Sequence, residues 1–167
     1  MMEIGRATPG DADALLELQR CLDWESRFML LEPGERDESA EALKRRLAEL
    51  REPSFVLLAR DSGIAAGYAE VEVMPYARAR RTGYVVMGVR GAFGGQGLGR
   101  RLLETAAREA GQAGLTRLEL TVMCHNRRAI GLYLSCGYQV EGLRRAALRV
   151  DGEPVDEYYM GLLLPAR

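Results

Sequence analysis

From Phe93 to Glu104 the chain reads FGGQGLGRRLLE, with four glycines among the seven residues Phe93 to Gly99. The apolar run TGYVVMGV precedes it and reads as a strand buried on both faces. Leu98, Leu102, Ala106 and Ala110 follow on one helical face, which Gly111 and Gly114 close. A strand that passes into a helix through glycines gathers unpaired backbone N–H groups and the positive end of the helix dipole at one spot. That spot is built for phosphate, and Gly94, Gly95, Gln96, Gly97, Leu98, Gly99 and Arg100 are the residues that would hold it. Arg100 and Arg101 oppose the dipole by ~0.3–1 kcal/mol each unless an anion lies close, and a polyphosphate reverses that sign.

Spacing separates the kinds of phosphate loop. A nucleoside-triphosphate loop needs Lys and then Ser or Thr after its last glycine, where this chain has Arg100 and Arg101. A dinucleotide loop needs G-x-G-x-x-G; Gly95 and Gly97 begin it and Glu119 supplies a distant acid, but the third glycine is at 99 instead of 100. A dinucleotide-binding protein therefore stays as an alternative. The segment VMGVRGAFGGQGLGRRLLE resembles the acetyl-coenzyme A loop of the GNAT N-acetyltransferase superfamily, [QR]-x-x-G-x-[GA] after an apolar strand. Gly97 and Gly99 take the two small positions, and Gly94 stands where the family carries Gln or Arg. Further on, HNRRAIGLYLSCGYQVEG resembles the family's second signature, N-x-x-A-x-x-L-Y-x-x-x-G-[FY], through Asn126, Ala129, Leu132, Tyr133, Gly137 and Tyr138. The tail RRAALRVDGEPVDEYYMGLLL is similar to the closing hairpin of the amino-acid and ribosomal-protein acetyltransferase branches.

The resemblance implies attack of a primary amine on the thioester carbon of acetyl-coenzyme A within a ternary complex, without a metal. It assigns Tyr133 as general acid for the leaving sulfur, and a phenol is protonated at neutral pH without tuning. Asn126 would cap its helix and also bond the cofactor arm. Met87, Gly88 and Val89 would lend backbone groups to the amide-rich pantetheine arm. A base must still take a proton from the substrate ammonium. Relatives place an acid near the position of Tyr84; Glu70 and Glu72, which alternation puts on one strand face, are the candidates in its stead. Glu25, Glu32 and the single histidine, His125, carry weaker patterns, and each has an ordinary structural role available. Arg78, Arg80 and Arg81 would either receive a carboxylate of the acceptor or form a solvated loop. A rival from another class is a non-catalytic acyl-coenzyme A-binding module using the same loop.

The elements needed to position these groups follow from periodicity. The predicted order is β-α-α-β-β-β-α-β-α-β-β across a single domain, residues 1–167. This is an α/β (α+β) arrangement with a mixed, mostly antiparallel sheet of about seven strands and helices on both faces, the fold the resemblance implies. Thr8-Pro9-Gly10-Asp11 opens the first helix, and Leu15, Leu18, Leu22 and then Leu43, Leu47, Leu50 mark two amphipathic faces. With 23 basic and 24 acidic side chains the net charge is −1, so no overall field favours nucleic acid or an anionic membrane. The sequence has no apolar run of spanning length and no signal-peptide pattern, which points to the cytoplasm. Cys21, Cys124 and Cys136 fit free thiols there. The expected partner is a small-molecule or peptide amine, and the resemblance allows a homodimer.

Overall fold

A computed structural model describes residues 1–166. Two hairpins are set by paired positive-φ residues, Ser62 and Gly63 at 51° and 86°, and Asp151 and Gly152 at 51° and 79°. The first folds β2 (Phe55–Asp61) onto β3 (Ile64–Val73), and the second folds β6 (Gln139–Val150) onto β7 (Glu153–Leu163). With β1 (Met2–Arg6), β4 (Thr82–Val89) and β5 (Arg117–Met123) they form one sheet in the order β1-β2-β3-β4-β5-β7-β6. Every neighbouring pair is antiparallel except β4 with β5. The element order and the mixed seven-stranded sheet match the expectation from sequence.

Helices cover both faces because the strands present apolar side chains to each side. α1 (Ala12–Glu25) and α2 (Ala40–Glu49) press Leu15, Leu18, Leu22, Leu43 and Leu47 onto Val56, Leu58 and Tyr68. α3 (Leu98–Gln112) packs Leu102, Leu103, Ala106 and Ala110 against Leu57, Ala69, Val71 and Val85 on the other side. α4 (Arg127–Ser135) lies on that same side, with Ala129, Ile130, Leu132 and Tyr133 against the larger core. The first helix is entered through a capping box in which Thr8 and Asp11 satisfy each other, after a short 3-10 turn.

Two local expectations change. Gly111 lies inside α3, and the turn that ends the helix belongs to Gly114 at φ 89°. β4 is not buried on both faces. Gly83 and Val85 are buried toward α3, while Tyr84 is half-buried and Val86 is 39% exposed on the other side. A continuous apolar run does not say whether a helix or an open cleft covers a strand's second face.

Candidate active site

Strands β4 and β5 pair over only three residues, Thr82 to Tyr84 against Arg117 to Glu119. Beyond them β4 continues to Val89 with every partner on β3, and β5 continues to Met123 with every partner on β7. The two strands therefore diverge, and the backbone of Val85 to Val89 facing β5 has no ladder partner among the described residues. At the closed end of the opening the Tyr84 hydroxyl lies 2.7 Å from Thr121 Oγ1 and fastens the strands together.

β4 leads into the glycine loop through a single 3-10 turn, Gly91–Phe93. Gly95 and Gly97 sit at φ 74° and 76°, where an L side chain is strained, and a Cβ on either would meet nothing within 4 Å. Gly99 differs: a Cβ there would come within 2.9 Å of Leu132 Cδ2, so its bareness lets α3 approach α4. Phe93 N–H and Gly94 N–H donate to the carbonyls of Arg90 and Gly91 within the turn. The next six N–H groups, Gly95 to Arg100, meet no protein acceptor among the described residues, and Gly97 caps the helix without a side chain. Six unpaired donors gathered at a helix N-terminus fit the diphosphate of coenzyme A.

Asn126 accepts from Ala129 N–H at 3.3 Å and starts α4. Seven residues later Tyr133 packs its ring 5.9 Å from that of Tyr138, against the larger core. Its hydroxyl has no protein hydrogen-bond partner among the described residues and is not sealed from solvent. Burial, with the nearby phenols of Tyr84 and Tyr68 adding, pushes its pKa up to about 12. Tyr84 and Tyr68 belong to the sheet face on the α1–α2 side, and Tyr133 belongs to the α4 side, so the phenols face one another across the divergence.

The candidate bases separate by their partners. Glu70, opposite Val86, is part-buried and binds Arg46 Nη1 at 3.1 Å. Burial raises its pKa, with Arg46 opposing. Glu72, opposite Tyr84, is exposed and forms no ion pair among the described residues. Glu25 is engaged elsewhere, since its Oε1 accepts from Gly91 N–H at 2.8 Å and steadies the entry of the glycine loop. Glu32 pairs with Arg27, and His125 lies in tilted contact with Phe28, ring centroids 5.1 Å apart. Arg78, Arg80 and Arg81 lie between β3 and β4 and form no ion pair among the described residues.

The two loop arginines do not share a direction. The Arg100 side chain donates to Ser135 Oγ at 2.7 Å, toward α4, and Arg101 reaches the Met2 carbonyl at 3.4 Å, toward β1. A groove of about 730 Å³ runs along α1, bordered by Asp13, Arg20, Trp24 and Arg90. Glu25 also lines it, whereas Tyr133, Tyr84 and Glu70 do not. Among the described residues, no group of three or more His, Cys, Asp or Glu side chains is placed to hold a metal ion. No helix among them is long and apolar enough to cross a membrane.

Comparison with known proteins agrees with this geometry. Residues 18–138 match the acetyltransferase (GNAT) family. The chain is 32% identical to the N-alpha-acetyltransferase RimI of Mycobacterium tuberculosis over 94% of its own length and 89% of that protein's. It superposes on the crystal structure of a GNAT-family acetyltransferase from Streptococcus pneumoniae with a TM-score of 0.95 at 28% identity, covering 99% of this chain and 100% of that one. A structure from Salmonella typhimurium, solved with acetyl-CoA as its cofactor, gives 0.86 at 25% identity and covers 100% and 96% of the two chains.

Proposed function

The chain belongs to the GNAT acetyltransferase family, and on that premise we propose that it acetylates the α-amine of a peptide N-terminus or amino acid at the divergence of β4 and β5. Acetyl transfer from acetyl-CoA to an amine is the family's reaction; the acceptor class and the residue roles are this proposal's own. The observation that carries it is the run of six unpaired N–H groups leading to a gap that an unpartnered phenol enters from the far side. When bound, acetyl-CoA supplies the acetyl group as a thioester. The amides of Gly95 to Arg100 hold its diphosphate, the free β4 edge at Met87 to Val89 bonds the pantetheine amides, and Asn126 adds a side-chain contact.

Tyr133 donates its hydroxyl proton to the departing sulfur. Its raised pKa keeps that proton in place across the range in which a substrate amine becomes neutral. Glu70 and Glu72, on the strand that borders β4, receive the ammonium proton directly or through water. The uncovered sheet face beyond Thr121 and Tyr159 leaves room for chain beyond the amine, and the likeness to an N-alpha-acetyltransferase supports a peptide. The exposed Val140, Leu143 and Leu163 of the closing hairpin support a homodimer, and three free cysteines support a reducing, cytoplasmic setting.

Thiol release with acetyl-CoA, measured against a panel of N-terminal peptides, free amino acids and simple amines, tests the reading. Turnover concentrated on peptide or amino-acid α-amines is expected. Turnover confined to other amines overturns the acceptor class, and tight CoA binding with no thiol release for any acceptor favours a binding module. Glu72→Gln is expected to lower kcat/KM at unchanged stability, whereas Glu70→Gln also leaves Arg46 with Glu38 as its one acidic partner among the described residues and lowers the melting temperature slightly.

A further inference from the structure

The family pattern carries a long polar side chain where this chain has Gly94, and the guanidinium of Arg128 lies beside that position. A Cβ built on Gly94 would meet the Gly91 carbonyl oxygen at 3.2 Å and lie in ordinary contact, 3.6 Å and 3.9 Å, with Nη2 and Nη1 of Arg128, in the first turn of α4. Arg128 is exposed, meets no carboxylate within ion-pair distance and donates no hydrogen bond among the described residues. Its position is electrostatically adverse, since a guanidinium there faces the positive ends of two helices, its own α4 and α3. Arg100 and Arg101 do not share the role, because their side chains are spent on Ser135 and on the Met2 carbonyl. A cation without an acid to balance it, beside a loop whose next six N–H groups are unpaired, is suited to an anionic ligand.

We propose that Arg128 supplies the diphosphate of coenzyme A with the side-chain contact that Gly94 cannot make, reaching the loop from α4 instead of from the loop itself. The inference rests on the cofactor reading under Proposed function. It adds a consequence of its own, since contact from α4 ties diphosphate binding to the helix that carries Tyr133. A planar guanidinium suits this contact by offering paired donors to one phosphate.

Calorimetric titration of the full chain with CoA and with dephospho-CoA, which lacks only the ribose phosphate, tests it without reference to turnover. Arg128→Ala is expected to weaken both ligands by about tenfold to a hundredfold, and Arg128→Gln to do the same. Arg128→Lys should recover only part of the loss. If the parent chain binds neither ligand, the cofactor reading itself fails. If it binds both and the Arg128 variants bind equally well, the inference is overturned while the cofactor reading stands. If the loss appears with CoA and vanishes with dephospho-CoA, Arg128 serves the ribose phosphate and the diphosphate assignment is overturned.

Discussion

The two sides of the β4–β5 divergence are prepared for their ligands in opposite ways. On the α3–α4 side the polar groups proposed to bind the cofactor are left unsatisfied: six backbone N–H groups and the Arg128 guanidinium have no protein partner among the described residues. On the α1–α2 side the polar groups are largely satisfied by one another. Asp23, 1% exposed, receives two hydrogen bonds from Arg36, at 2.7 and 3.1 Å; Arg46 is shared by Glu38 and Glu70; Arg144 holds Glu157. Unpaired amides at a helix end bind any suitably placed phosphate, so one side is specified by backbone shape. The other is specified by which side chains happen to be paired, and an acceptor must fit around bonds already made.

The largest test of this contrast is the group that belongs to both sides. Tyr133→Phe should lower kcat by about 10²–10⁴-fold while leaving CoA affinity nearly unchanged, as expected when a contact is made chiefly in the transition state. Steady-state kinetics beside a CoA titration separates the two quantities. A matching loss of CoA affinity would place the phenol among the cofactor contacts and dissolve the distinction between the two sides.

The same phenol has a signature in stability. An unfolded tyrosine ionises near 10, whereas Tyr133 and Tyr68 in the folded chain are both pushed to about 12 by burial. Between these values the unfolded state binds fewer protons than the native state, so stability falls as pH rises and is fully retained below the lower value. Each group contributes about 3 kcal/mol to that fall at the upper end. Urea unfolding at pH 9 and at pH 11.5 should show the decline, and Tyr133→Phe should remove a clear share of it. An unchanged alkaline decline in that variant would mean that the phenol is well solvated.

How far the sequence reveals this molecule follows the same division. The glycine loop is legible because backbone recognition needs small residues at fixed spacing, and Asn126 and Tyr133 through the resemblance of their segment to a family signature, since helical periodicity alone would make Tyr133 a core residue. The order of elements follows from alternation and from turn residues such as Ser62-Gly63. The open face of β4 is not legible, since Val86 is apolar whether a helix or a substrate covers it. Glu25 reads as a possible base because nothing in the sequence shows a carboxylate 66 residues away taking the Gly91 N–H. Arg128 sits between motif positions, and only the approach of α4 to the loop gives it a meaning.

A smaller change aimed at the cofactor side alone sharpens the comparison. Gly97→Ala places a Cβ in a left-handed conformation that costs about 1–2 kcal/mol, although space around it is open. The loop should relax away from φ 76° and scatter its amides, weakening CoA by about tenfold. Acceptor KM at saturating cofactor should stay as it was. Calorimetry and steady-state kinetics read the two effects, and equal CoA affinity would place the diphosphate elsewhere.

The smallest expected effect lies on the acceptor side. Arg27, just past α1, donates from Nη2 to both carboxylate oxygens of Asp151 at 2.9 Å, at the tip of the β6–β7 hairpin 124 residues away, while its neighbour Phe28 rests against His125. The segment after α1 is thus fastened to two loops on the far side of the opening. Both partners of the ion pair are well exposed, so water and salt weaken it and its loss should hardly alter stability. What it sets is the position of a strap. Arg27→Ala should raise acceptor KM by a few-fold at most and leave CoA binding untouched, with a difference from the parent chain that shrinks as salt is added. A parallel change in CoA affinity would show that the strap reaches the cofactor side through Glu25 and Gly91, and that the two regions are less independent than their hydrogen bonding implies.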